Sequence, residues 1–367
     1  MPVDIGRRAP RRRARKAAAR TPRPTTIRRP EQAAAAWLLR CAPGLAKTLV
    51  TELRFNGLAD RRSKATVLWQ RNHDVVFLPQ LTREPKAGDL RIAEEIHRCP
   101  VYGRYKVSQH QLDVMAGAIR SGKGRSHLVV TVDGTRFNRH ELGRWLGREL
   151  KQRGVGLDEA SPRASFLFCI EEAYYFCLPY RTSGDAAGRA QRITEREGSL
   201  PPTIAAAMAF LGNPRDADTV LDPVCGSGTL LAEIHAYAPA AHLIGIDSDP
   251  GAIAAARRNL AHAGEINLSV GDARATGLAA GSVGLLVANL PFGKQFGSRA
   301  QNHELYRGIL QEMVRLGRGA GWRAVLLTSD GAALQAAAGD VAAVQLVPAT
   351  PVKLRGEAAS IFMLRPE

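Results

Sequence analysis

Two short stretches carry residue types at spacings that can do chemistry: Asp222-Pro223-Val224-Cys225-Gly226-Ser227-Gly228-Thr229 and Asn289-Leu290-Pro291-Phe292-Gly293. In the first, two glycines stand where a buried strand must turn tightly into a helix. Without side chains the backbone can approach a ligand closely, and the helix start offers free N–H groups. An acidic residue, Asp247, ends the next apolar run, 19 positions past Gly228. That spacing is how a Rossmann-type sheet grips the two hydroxyls of a ribose. The second stretch sets an amide side chain beside a proline and an aromatic ring at the end of another apolar run. Together they point to S-adenosylmethionine and to a planar amino group that receives its methyl.

The chemistry behind that pairing is specific. An amino group conjugated to a base has its lone pair spread into the ring. If the Asn289 side-chain oxygen and the Leu290 carbonyl both accept its N–H groups, the nitrogen becomes more tetrahedral and its lone pair turns toward the methyl carbon. Phe292 would stack on the base, as aromatic side chains do with extruded bases. Transfer is then in line, helped by orientation, and the proton leaves from the alkylated nitrogen. Asp222 is expected to meet the methionyl ammonium, directly or through water. Asp272 is expected to accept from the adenine amino group, the alternative being an ordinary turn aspartate. Asp249 reads as a cap for the helix starting near Pro250. The loop lacks the third glycine of a dinucleotide fingerprint and the Gly-Lys-Ser/Thr of a P-loop, so neither NAD nor a nucleoside triphosphate is expected.

The chain has 367 residues and a formal charge of +17. Residues 1–30 hold eleven Lys or Arg against Asp4 alone, a net of +10, which leaves +7 for the remainder. A charge of that sign favours polyanions through phosphate neutralisation. The five cysteines form no C-x-x-C pair and no metal-ligand spacing with His, so free thiols in a reducing cytosol are expected and neither disulfides nor zinc. No apolar run reaches the roughly 18 residues that span a bilayer. The Arg- and Ala-rich start lacks the apolar core of a secretory signal.

These groups must be positioned by regular elements. Residues 1–32 read as a disordered basic arm. Over 33–97 the pattern gives strands at 36–41, 66–70 and 74–78, a helix over 44–55 and a second helix over 90–98. Over 98–181 it gives a strand at 126–133, an amphipathic helix over 138–153 and a hairpin at 165–178 turning at Glu171 and Glu172. Arg136, Arg139, Arg144, Arg148, Lys151 and Arg153 cluster around that helix, as a solvated face or as a nucleic-acid surface. Residues 182–200 serve as a linker. From 201 to 367 strands and helices alternate, the pattern of a parallel sheet. Its strands are expected at 219–222, 242–247, 266–270, 283–289, 324–327, 341–347 and 360–364, the last antiparallel.

These residues together resemble the class I S-adenosylmethionine methyltransferases, and more narrowly the THUMP-domain RNA guanine-N2 methyltransferases. The resemblance covers about residues 34–365. It rests on W-L-L-R-C-A-P-G-L (37–45), V-T-V-D-G-T-R-F-N-R-H (130–140), E-G-S-L-P-P-T-I-A-A-A-M (197–208), D-P-V-C-G-S-G-T, N-L-P-F-G and N-H-E-L-Y-R (302–307). It implies an α/β chain: a ferredoxin-like unit over 33–97, a THUMP-like unit over 98–181 and a seven-stranded Rossmann-like catalytic domain. It implies Asp222, Pro223, Cys225, Gly226, Gly228, Thr229, Asp247, Ser248, Asp272, Ala273 and Asn289 around S-adenosylmethionine, and Asn289, Leu290, Pro291 and Phe292 at the target amine. The acceptor end of tRNA would be held by the THUMP-like unit and the basic arm, with guanosine 6 as target. Relatives acting on ribosomal RNA often carry a further methyltransferase domain, and none follows here, which favours tRNA. A monomeric, cytoplasmic enzyme is expected. The alternatives are ribosomal RNA guanine-N2, DNA adenine-N6 or protein glutamine-N5 methylation, and a non-catalytic RNA-binding protein.

Overall fold

A computed structural model describes residues 3–4, 36–70, 72–104, 106–133, 138–182, 199–291, 299–342, 344–354 and 356–367. The basic arm beyond Val3–Asp4 and most of the expected linker lie outside the described residues.

In the N-terminal half, the strands β1 (Ala36–Cys41), β2 (Thr66–Gln70), β3 (His73–Leu78), β4 (Glu95–Arg104), β5 (His127–Asp133), β6 (Ala164–Ile170) and β7 (Ala173–Thr182) form one sheet. Its order is β2-β3-β1-β4-β7-β6-β5. Only β5 and β6 pair in parallel. Helices α1 (Ala46–Phe55), α2 (Gln109–Arg120) and α3 (Arg139–Gln152) pack on it. The long strands β4 and β7 pair along their whole length. The sheet therefore runs straight across residue 97, where a boundary between two units was expected. Leu38, Phe77, Phe168 and Tyr175 fill a second core built from strand residues alone, and β2 reaches β6 across it.

The helix expected over 90–98 is corrected to an extended segment leading into β4. The backbone N–H groups of Arg91 and Ile92 donate to the two Glu52 carboxylate oxygens, at 3.0 and 3.2 Å, instead of closing a helical turn. From Glu95 onward the chain is hydrogen-bonded to β1 on one side and β7 on the other. Pairing with these neighbours overrides an ambiguous local pattern, and Pro100 sits where the register slips between Arg98 and Val101. Helix α2, not anticipated, starts at a reciprocal capping box between Ser108 and Gln111.

The C-terminal half follows the expected alternation. Helix α4 (Pro202–Gly212) precedes β8 (Thr219–Asp222), α5 (Thr229–Tyr237), β9 (His242–Asp247), α6 (Pro250–Asn259), β10 (Asn267–Val270), β11 (Leu285–Asn289), α7 (Arg299–Leu316), β12 (Arg323–Thr328), α8 (Gly331–Gly339), β13 (Val344–Leu354) and β14 (Glu357–Pro366). The seven strands run in the order β10-β9-β8-β11-β12-β14-β13. The first five are parallel, and β14 is antiparallel to both of its neighbours. The sequence reading had no helix at 331–339, where Asp330 caps an alanine-rich turn by accepting from the Ala333 N–H.

The two halves share a core. Leu45, Leu49 and Leu53 from the α1 region join Ala205 and Met208 of α4 and Leu231 and Ile234 of α5 in one buried cluster. Gly44, at φ +96°, lets the chain pass under β13; a Cβ there would lie 1.8 Å from the Pro351 carbonyl oxygen. A buried ionic network crosses the same contact. Arg91 Nε donates to Glu233 at 2.7 Å, and the Tyr237 hydroxyl donates to Glu52 at 2.6 Å. Among the described residues no helix is long and apolar enough to cross a membrane.

Removing one member of a buried pair leaves the other charge stranded, which costs about 3–5 kcal/mol. Arg91→Met is therefore expected to destabilise the protein by about that amount, read from urea unfolding. Tryptophans in the two halves, Trp37 and Trp322, should report one shared transition in the native protein.

Candidate active site

The C-terminal ends of β8, β9, β10 and β11 lie side by side at one edge of the parallel sheet, where open α/β sheets bind ligands. The glycine loop leaves β8 there. Gly226 and Gly228 adopt φ +54° and +80°, values that a side chain would oppose. A Cβ on Gly228 would also meet Leu260 at 2.7 Å, and one on Gly245 would meet Leu268 at 2.6 Å and Leu231 at 2.8 Å. These glycines let strand, loop and α6 close on one another. The loop is tied to β9 by the Cys225 N–H, which donates to the Ile246 carbonyl at 2.8 Å.

Asp247 is oriented by the backbone. One carboxylate oxygen accepts from the Gly226 N–H at 2.8 Å and the other from the Asp249 N–H at 3.0 Å. Each oxygen keeps a lone pair for a further donor. Asp249 caps α6, accepting from the Gly251 N–H at 2.7 Å, with Pro250 at the first helical position. Asp222 is 2% exposed, and its carboxylate accepts from the Val224 N–H at 3.1 Å. Burial, and then the nearby Asp247 charge, push its pKa up to about 8. A cationic ligand group placed beside this buried acid would favour its carboxylate form. Pro223 and Cys225 are buried beside it, and burial raises the Cys225 thiol. Thr229 opens α5, its hydroxyl 3.5 Å from that of Ser227.

At the next strand, Asp272 is exposed and engaged by Arg274, whose guanidinium lies 2.6 Å from it. That hydrogen bond lowers its pKa. Ala273 is buried and Ser248 exposed. Val270, at the end of β10 and paired in register with Asp247, is 54% exposed. It offers an apolar surface beside the Asp247 carboxylate, a feature the sequence reading missed because Val270 ends an unremarkable apolar run.

Asn289 ends β11, one strand over from Asp222. Its side-chain oxygen is buried and accepts no hydrogen bond among the described residues. Such an atom carries a penalty of about 1–3 kcal/mol unless a ligand supplies the donor. The chain after it is held on both sides. The Leu290 N–H donates to the Leu327 carbonyl at 2.9 Å, and the Tyr306 hydroxyl donates to the Pro291 carbonyl at 2.6 Å. Tyr306 is fully buried, and its oxygen also lies 2.9 Å from the Thr328 hydroxyl. This brace is a second missed feature, though the N-H-E-L-Y-R stretch was there to see. Phe292 lies outside the described residues.

Residues 189–359 match the family described as UPF0020, RMKL-like, methyltransferase domain. The match falls on the C-terminal half, which is similar to that methyltransferase domain. The chain is 34% identical over 147 residues to the tRNA (guanine(6)-N(2))-methyltransferase THUMP3 of Bos taurus, covering 36% of this chain and 29% of the relative. It is 31% identical over 200 residues to the U6 snRNA (guanine-N(2))-methyltransferase THUMPD2 of the same species, covering 52% of this chain and 37% of the relative. The chain thus spans well under half the length of these relatives. The crystal structure of TrmN from Thermus thermophilus superposes with a TM-score of 0.70 at 23% identity, over 90% of this chain and all of that one. The likeness extends through both halves, so the class I methyltransferase fold carries the N-terminal sheet with it.

The basic cluster on α3 is only partly a free surface. Arg139, Arg144, Arg148 and Lys151 are exposed. Arg153, expected among them, turns inward and pairs with Asp113 at 2.9 Å and Glu149 at 2.8 Å. Arg136 lies outside the described residues.

Proposed function

We propose that this chain is an RNA methyltransferase that moves a methyl group from S-adenosylmethionine to the exocyclic N2 amine of a guanosine, in tRNA at position 6 of the acceptor stem. The buried, unpartnered Asn289 oxygen carries this reading. It is an acceptor at the end of β11 that lacks a donor, and an amino group on a base supplies one. The relatives named above act on guanine N2 in two different RNAs, which supports the atom more strongly than the RNA.

The residues divide the work by position. Asp222 neutralises the methionyl ammonium, and Asp247, held by two backbone amides, takes the ribose hydroxyls. Asp272, Ala273 and Ser248 flank the adenine, with Val270 as its apolar floor. The bound cofactor supplies an electrophilic methyl on a sulfonium. Asn289 Oδ1 and the Leu290 carbonyl accept the two N–H groups of the target amine and turn its lone pair toward that methyl. Phe292 covers the base. The Tyr306 bond to the Pro291 carbonyl keeps this short segment in register with β12. No protein base need act before attack, because the alkylated nitrogen is far more acidic than the amine. The N-terminal sheet, with its THUMP-like part and the exposed cations of α3, would hold the RNA. The five free, buried cysteines suit a cytosolic protein.

Asn289→Ala is expected to reduce transfer of radiolabelled methyl to tRNA by at least about a thousandfold while leaving cofactor affinity within about twofold. Transfer near the native rate in that variant would remove Asn289 from the chemistry.

Cofactor affinity should depend on pH. With its pKa at about 8 in the free protein, Asp222 is mostly protonated at neutral pH, and pairing with an ammonium requires the carboxylate. Binding therefore releases a proton below that pKa, and affinity rises with pH. Calorimetry from pH 6 to about 8 is expected to show tightening approaching tenfold per unit. A flat profile, or one that weakens as pH rises, would contradict the Asp222 assignment.

A further inference from the structure

Among the described residues of the methyltransferase domain, two side-chain polar atoms are buried without a hydrogen-bond partner: Asn289 Oδ1 and Ser329 Oγ. The first is accounted for by the proposed target amine. The second is used by nothing described so far. Ser329 directly follows β12, the strand next to β11, and the register places Asn289 opposite Leu327.

Strand alternation puts Asn289 on one face of its sheet, and Ser329, one residue past the end of β12, follows the β12 residues that share that face. Leu285 and Val287 of β11 and Val325 and Leu327 of β12 all point into the core shared by both halves of the protein. Asn289 and Ser329 continue those two series toward the C-terminal edge. Thr328 points to the opposite face, where its hydroxyl meets Tyr306. Asp222 continues the series of Val220 on β8 in the same way. Three polar side chains, Asp222 buried and Asn289 and Ser329 half-buried with one buried oxygen each, therefore sit at the ends of three neighbouring strands, in that order.

We propose that Ser329 reads the target base: its hydroxyl donates to O6 of the guanine whose N2 amine is held by Asn289. Ser329 lies one strand over and two positions past the residue opposite Asn289, a diagonal of about 8 Å between backbones at the usual strand spacing and rise. The pairing edge of guanine, from the N2 amine to O6, together with the reach of the two side chains, spans that diagonal. A base drawn out of its helix is read through that edge. The acceptor at the end of β11 meets the N2 donor, and the hydroxyl just past β12 meets the O6 acceptor. Adenine offers an amino donor in place of O6, so the pair selects guanine. This inference rests on the guanine-N2 reading and adds the residue that enforces it.

The test uses a synthetic tRNA assembled from two fragments, with guanine or 2-aminopurine at position 6. The analogue keeps the N2 amine and lacks O6. The native protein is expected to methylate guanine well above the analogue. Ser329→Ala is expected to lower kcat/KM on guanine by about ten- to hundredfold. The same variant should leave the rate on 2-aminopurine and the affinity for S-adenosylhomocysteine unchanged, so that the preference collapses. A variant that keeps the native preference, or that loses equal rate on both bases, overturns the assignment. Native protein that methylates neither RNA overturns the reading of guanosine 6 in tRNA on which this assignment rests, and Ser329 as the reader of that base falls with it.

Discussion

The candidate active edge is set against the N-terminal sheet by the buried contact between Glu52, Arg91, Glu233 and Tyr237. Glu52 is fully buried, an expensive place for a carboxylate. It is satisfied by two backbone N–H groups and a tyrosine hydroxyl, while Arg91 reaches on to Glu233. These partners come from α1, from the segment before β4 and from α5. Two of these bonds, Arg91 to Glu233 and Tyr237 to Glu52, cross between the halves and form only when the two are docked in one orientation. The surrounding core supplies the affinity of the contact, and the polar network supplies its direction. The N-terminal sheet is thereby held at a set distance from Asn289. On the proposed function that distance chooses which nucleotide arrives at the site, since the pocket itself can sense only the base.

On the proposed function, the same edge serves two ligand parts. Its β8–β10 side offers backbone amides, close-packed glycines and two aspartates in different surroundings. Asp247 is braced by N–H donors, whereas Asp222 is buried and its pKa is pushed up to about 8. Its β11–β12 side offers neutral hydrogen-bonding groups without partners. A charged cofactor tail suits the first side and a planar, uncharged base edge suits the second. The strand order places them as immediate neighbours, so the reacting atoms can meet without any large movement of the sheet.

How far the sequence anticipated this depended on whether a signal was local. The parallel sheet was readable because each strand is a short apolar run closed by glycine, aspartate or asparagine, and β8 and β9 were placed to the residue. The Asp249 cap followed from its place before Pro250. The segment around Leu90 failed because its backbone N–H groups are claimed by Glu52, a partner 39 and 40 residues away. Arg153 failed for a similar reason: its charge is consumed by Asp113, 40 residues earlier. The continuous N-terminal sheet depends on β4 pairing with β7, which no local pattern announces. At the site, the ligand-facing types were plain, but the absence of a partner for Asn289 and Ser329 exists only once neighbouring strands are in place.

The central claim is the identity of the modified atom, and it is most directly read from the product. RNA from cells lacking this gene would be incubated with the purified protein and isotopically labelled S-adenosylmethionine, digested to nucleosides and analysed by mass spectrometry. The account predicts label in N2-methylguanosine, recovered from tRNA. Label in N6-methyladenosine, or none in RNA from protein that binds the cofactor, would contradict it.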